Sequence, residues 1–344
     1  MSSSDHHLDK IFGSLESAGF PRSLQKTLLP SWVTPEVLSD DAASGEIAVI
    51  LAKRLGLRAS SLFADSPTVE TLRRRDTKYK RSIPNRSKNL IVATSIAVSV
   101  AEAVASACRS AFQVFPGTPR EFRKDVLARF PGNWLGLRNL LMFCWGNGVP
   151  VIYLADLGTG ISKMDGMVVH TVSRPVIVLS KASPLWAWQL FILAHEVAHI
   201  TLRHLAPDEI LVDEELGSDS YALDDQDTDE RSADSFAIEV LNGRPAATYT
   251  ASTTTINSAE LAKAAFEFGK TNSIDPGHIA LNFAHHTGNW PVGLSAVKVL
   301  QGSNPPAWAV INEAMWGGIN TDALPSDTLE FLGKVTGSVD DRGG

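Results

Sequence analysis

The stretch Phe191-Ile192-Leu193-Ala194-His195-Glu196-Val197-Ala198-His199-Ile200 decides how the rest of the chain is read. On a helix, His195 and His199 stand about 40° apart on adjacent turns, so both imidazoles point the same way and can close on one metal ion. Glu196 sits one residue round from His195. From there its carboxylate can reach the open face of such an ion and take a proton from an attacking water. Two histidines on a buried helix can also be satisfied by ordinary core hydrogen bonds, so the surroundings have to decide.

They favour the metal. Ser183 and Pro184 read as a helix start, an N-cap hydroxyl followed by a proline at the first position. Arg203 and His204 read as its cationic last turn, and Pro207 as its stop. Between them Leu185, Trp186, Trp188, Leu190, Phe191, Ile192, Leu193, Val197, Ala198, Ile200 and Leu202 leave almost no polar face. A helix that is apolar all round is a buried central helix. His-Glu-His inside it needs polar partners, and a metal satisfies that need.

A catalytic zinc takes three protein donors and keeps one position open. Cys108 and Cys144 have no zinc-site spacing, and His204 lies too far along the same helix, so the third donor is a carboxylate. In Asp229-Glu230-Arg231-Ser232-Ala233-Asp234-Ser235-Phe236-Ala237-Ile238-Glu239-Val240-Leu241, apolar residues at 233, 236, 237, 240 and 241 form one helical stripe. Glu230 and Asp234 lie on it and Glu239 does not. Glu230 is the expected ligand. Asp234 is the expected acceptor for a ligand histidine's other N–H. Asp213, Glu214 and Glu215 read as part of an acidic loop with no fixed face. From Ala206 to Glu230 there are eleven acids and no Lys or Arg.

Upstream, Glu46 to Leu57 reads as a helix, and Leu51 to Phe63 has the look of a helix-turn-helix, with Ala52 in the first helix, Gly56 at the turn and a capped second helix. The basic run Arg73 to Lys88 reads either as a solvated linker or as a phosphate-contacting arm, so DNA is a candidate partner through residues 51–88. Thr118-Pro119-Arg120-Glu121 is a capping box that opens a helix to about Arg129. Trp134 to Trp145 reads as a helix and Val149 to Leu154 as a strand. Met167 to Val172 and Pro175 to Leu179 read as a hairpin leading into the His-Glu-His helix. Met167 to Val172 is the expected edge strand, able to pair with an extended peptide, and His170 on it is a candidate substrate-binding residue. Four helices are expected after residue 257, with His285 and His286 near a helix C-terminus.

Composition sets outer bounds. The 44% apolar fraction over 344 residues is ordinary for a globular protein. Cys108 and Cys144 read as buried free thiols, which points to a reducing, cytoplasmic setting and excludes a cysteine zinc site. Met1-Ser2-Ser3-Ser4-Asp5 lacks the features of a signal peptide. Leu90 to Cys108 is rich in Ala, Ser and Val and contains Glu102, so it reads as a core helix and no membrane association is expected. The net charge is −7. Setting the acidic stretch aside leaves the rest of the chain at about +4, so overall acidity does not exclude a nucleic acid.

In Phe191 to His204, in Glu230-x-x-Ala233-Asp234-x-Phe236-Ala237, and in the strands Gly148-Val149-Pro150-Val151 and Pro175 to Leu179, the chain resembles the ImmA/IrrE family of zinc metallopeptidases over roughly residues 145–245. The resemblance implies an α+β fold with a zincin-like catalytic core, a small mixed sheet plus an active-site helix. Residues 1–88 would form a helical N-terminal region with a degenerate helix-turn-helix, 89–245 the peptidase domain, and 246–344 a helical C-terminal region. It further implies zinc as cofactor, a helix-turn-helix repressor as protein substrate, and proteolysis as a transcriptional switch. The alternative is a DNA-binding regulator or antitoxin-like interaction protein whose metal is structural.

Overall fold

The computed structural model describes residues 7–64, 66–71, 77–80, 87–130, 132–155, 157–158, 161–213, 228–251 and 255–337. Among them are five short N-terminal helices, α1 (His7–Ser17), α2 (Arg22–Leu28), α3 (Pro35–Leu38), α4 (Ser44–Arg54) and α5 (Ala59–Leu62). Strand β1 (Thr77–Lys80) and the long helix α6 (Ser87–Ala107) follow. Then come α7 (Pro119–Arg129), α8 (Leu137–Gly146), β2 (Val151–Tyr153), β3 (Gly166–His170), β4 (Pro175–Leu179), α9 (Trp186–Thr201), β5 (Ile210–Asp213) and α10 (Thr228–Asn242). Five helices complete the chain, α11 (Ser258–Asn272), α12 (Pro276–Thr287), α13 (Trp290–Gln301), α14 (Ala307–Gly318) and α15 (Ser326–Thr336). The class is α+β.

The strands form one mixed sheet in the order β1-β5-β3-β4-β2. β3 runs antiparallel to both β4 and β5, and the outer pairs β1–β5 and β2–β4 are parallel. Met167 to Val172 was expected at an edge; instead β3 is the central strand. The apolar triplet Ile210-Leu211-Val212 pairs along it, inside a segment whose acids disguise a strand. The edge at β2 is covered by Asn312 of α14, whose amide accepts from Tyr153 N (2.9 Å) and donates to Tyr153 O (2.9 Å).

Strand side chains alternate between two cores. Met167, Val169, Val176, Val178, Ile210 and Val212 pack with α6 and the N-terminal helices. Val168, Ile177, Leu179 and Leu211 pack with α7, α8, α9 and α10. Asp213 follows Leu211 by two residues, so it faces the α9 side. The window Leu90–Ala107 of α6 is long and apolar enough to cross a membrane, and 78% of it is buried inside the protein as a core helix.

The N-terminal half of the expected helix-turn-helix is present, but the second helix is not of that kind. α5 is four residues long, has no side-chain cap at Arg58, and buries Ser61 and Leu62. Of the basic run, 77–80 form β1, and Lys78 is tied to Glu209 (3.1 Å) and the carbonyl of His204 (3.1 Å). Arg73, Arg74, Arg75, Arg81 and Arg86 lie outside the described residues. Around Thr118 the expectation holds: its hydroxyl accepts from Glu121 N and α7 begins at Pro119.

Candidate metal centre

Helix α9 begins at Trp186, later than Ser183-Pro184 suggested, because its cap comes from elsewhere. Gln301, at the end of α13, accepts from Trp186 N (2.9 Å) and donates to Pro184 O (3.1 Å). The helix ends at Thr201, and Arg203 takes a left-handed conformation (φ 61°). His204 N then returns to His199 O (3.0 Å), as in helix stops that satisfy terminal carbonyls. His204 therefore does not sit in the last turn; its ring folds back against His199.

Four buried side chains converge: His195 and His199 from α9, Glu230 from α10 and Asp213 from β5. Their exposures are 0%, 0%, 2% and 1%. The two Nε2 atoms are 2.9 Å apart. Glu230 places Oε2 3.4 Å from His195 Nε2 and Oε1 3.4 Å from His199 Nε2. Asp213 Oδ2 lies 3.4 Å from His195 Nε2 and 3.6 Å from His199 Nε2. Four donors at the bond lengths of a tetrahedral zinc, about 2.0–2.1 Å, stand about 3.3 Å from one another. The group therefore has the spacing of one metal's donor set, and its two carboxylates balance a divalent charge where burial makes unpaired charge costly.

The far side of each ring is fixed. His195 Nδ1 donates to Asp234 Oδ1 (2.9 Å); a carboxylate only accepts, so the proton sits on Nδ1 and Nε2 is turned to the donor group. His199 Nδ1 is 2.8 Å from His204 Nδ1, and His204 Nε2 is 3.2 Å from Ser232 Oγ. If His199 donates to His204, and His204 to Ser232, His199 Nε2 is also left as a lone pair. Burial opposes charge on His195, but Asp213, Asp234 and Glu230 together push its pKa well above the ordinary value. The carboxylates that favour a proton there also favour a metal cation, and the two compete.

Glu196 is fully buried beside this group. Its carboxylate rests on Gly166 of β3, where a Cβ would land on Oε1. Gly166 is thus a close-approach position, required by what faces it rather than by a turn. Burial first, then the neighbouring Asp213 charge, push the Glu196 carboxyl well above the usual carboxylate range, with His195 opposing. Gly166 is also the residue that Asp213 pairs with across the sheet, which sets the Glu196 and Asp213 carboxyls on one face as neighbours. A buried carboxyl held in this way beside the donor group is placed for proton transfer.

His195, Glu196, His199, Glu230 and Asp234 are thus brought together, and His170 is not. It lies at the other end of β3 from Gly166, about 13 Å away by strand rise, with Nδ1 bonded to the carbonyl of Thr171. Asp229 is half-buried, off the buried stripe that holds Glu230, and Asp227 lies outside the described residues. Asp213, His204 and Gly166 are the participants that the motif did not disclose. For Asp213 one signal existed: three apolar residues followed by an acid in the parity of Leu211. No family model, curated protein or solved structure matches the chain.

Proposed function

We propose that the chain is a zinc-dependent endopeptidase. Glu196 carries this reading. A fully buried carboxyl, held over a glycine beside a metal donor set, has no use in a metal site that only braces the fold. His195, His199 and Glu230 would hold the ion, with Asp234 and His204 fixing the ring orientations. A zinc ion bound there supplies Lewis-acid polarisation of a scissile carbonyl and lowers the pKa of a water. Glu196 accepts the proton of the attacking water and returns it to the departing amine. Its raised pKa suits both steps, since the group must take and give a proton within one cycle.

The substrate class and setting come from the likeness to ImmA/IrrE peptidases, including a zincin-like arrangement of sheet and helix. That likeness points to a helix-turn-helix repressor as substrate, cut in the cytoplasm so that proteolysis switches transcription. Cys108 and Cys144 are free thiols, in keeping with a reducing compartment. The test is Glu196→Gln, which removes the base and no ligand. It should keep its metal and lose hydrolysis of a casein or repressor substrate by about 10²- to 10⁴-fold. Cleavage at the wild-type rate would end the proposal.

A second reading has its own observation. Four buried protein donors make a closed set, as structural sites do. In that case the chain is a DNA-binding regulator or antitoxin-like interaction protein, with residues 51–88 as its nucleic-acid contact. Glu196→Gln would then leave function intact, while a steep salt dependence of DNA affinity would mark the contact.

A further inference from the structure

Hydrolysis needs a coordination position that the protein does not fill, and the attacking water must lie within reach of both the metal and the base. One side chain holds that place. Asp213 Oδ2 is 3.4 and 3.6 Å from the two histidine Nε2 atoms. Glu196 rests on Gly166, and Gly166 is the residue paired with Asp213 across the sheet, so the Asp213 side chain leaves the same face beside the base. A carboxylate placed against both imidazoles and beside the base takes room that a water would need to meet both groups.

We propose that Asp213 is an internal block: its carboxylate is the fourth metal donor, and it holds the position that hydrolysis requires. The described conformation is accordingly latent. The backbone around it is anchored, since Asp213 O accepts from Asp165 N (3.0 Å) and the residue pairs with Gly166 in the sheet. Release is therefore a matter of the side chain turning away, or of β5 separating at its end from β3. Burial agrees with latency, because His195, Glu196 and His199 expose no surface to an incoming peptide. Activation would come from whatever draws Asp213 out. The consequence for hydrolysis rests on the peptidase function proposed above; the coordination assigned to Asp213 does not.

The experiment uses full-length protein loaded with cobalt(II), whose visible d–d absorption reports the ligands around the ion. Wild type, Asp213→Ala and Asp213→Asn are titrated with acetohydroxamate, a small oxygen chelator. Asparagine keeps the shape of aspartate and guards against a folding defect in the alanine variant. The wild-type band should stay unchanged, and Asp213→Ala should shift saturably as the chelator enters the opened position; Asp213→Asn, whose neutral amide fills the same room but is a weaker donor, should shift only at higher chelator concentration. A wild-type band that shifts at the same chelator concentrations as Asp213→Ala would overturn the block. Casein hydrolysis is followed in parallel, with at least a roughly tenfold gain expected in Asp213→Ala. If the cobalt bands behave as expected but neither variant cuts casein, the block stands and the peptidase function falls.

Discussion

The helix pair α9–α10 and the strand β5 deliver donors to the same point by different routes. α9 supplies His195 and His199 from adjacent turns, and α10 supplies Glu230 with Asp234 one turn behind it. These helices pack along each other, so donors, base and outer acceptor share two rigid elements of 16 and 15 residues. β5 supplies Asp213 from the last position of a four-residue strand. On the proposed reading, the permanent ligands sit on the two long helices. The carboxylate that has to leave sits at the end of a short element, one side-chain rotation from release.

The largest expected effects lie on the helical side. A structural zinc site binds with about 10–16 kcal/mol, so each of four donors accounts for about 3 kcal/mol, or roughly 10²- to 10³-fold in affinity. His195→Ala, His199→Ala and Glu230→Ala should each lose at least that much in chelator competition. Asp213→Ala should lose less, because a water can replace it. If Asp213→Ala were the worst of the four, the division between fixed and releasable donors would be wrong.

Next comes Gly166→Ala. Its methyl group takes the space of Glu196 Oε1, so the base must move while all four donors stay. Hydrolysis should fall by about 10²-fold or more with metal content unchanged. Smaller effects belong to the groups behind the rings. Asp234→Ala should weaken metal binding about 10- to 100-fold, and His204→Ala should fall at the lower end of that range. Asp229→Ala should bind metal as wild type does, since this half-buried carboxylate lies outside the donor group, 3.9 Å from His204 Nε2. A metal-deficient Asp229→Ala would shift the register of α10 by one residue and remove Glu230 from the site.

Legibility in the sequence follows the same division. Helical donors declare themselves because the 3.6-residue repeat ties spacing to direction: His195 and His199 are four apart, and Glu230 leads a stripe through Ala233, Ala237 and Leu241. β5 has only three apolar residues, too few for a period to show, and its neighbours are acids that read as loop. Its partner β1 lies inside the basic run, so the charges of both strands concealed their pairing. With β5 missing, β3 looked like an edge and His170 like a substrate contact. His204 was misplaced for a local reason: the turn at Arg203 reverses the chain after a helix that composition alone would have continued. Gly166 could not be read at all, since the carboxylate that demands it lies thirty residues away in sequence.

The most direct test is metal content. Full-length protein reconstituted with zinc and passed over a desalting column should retain about one ion per chain by elemental analysis, and His195→Ala, prepared alongside, should retain close to none. Wild-type protein that retains no more metal than His195→Ala would contradict the metal centre and everything built on it.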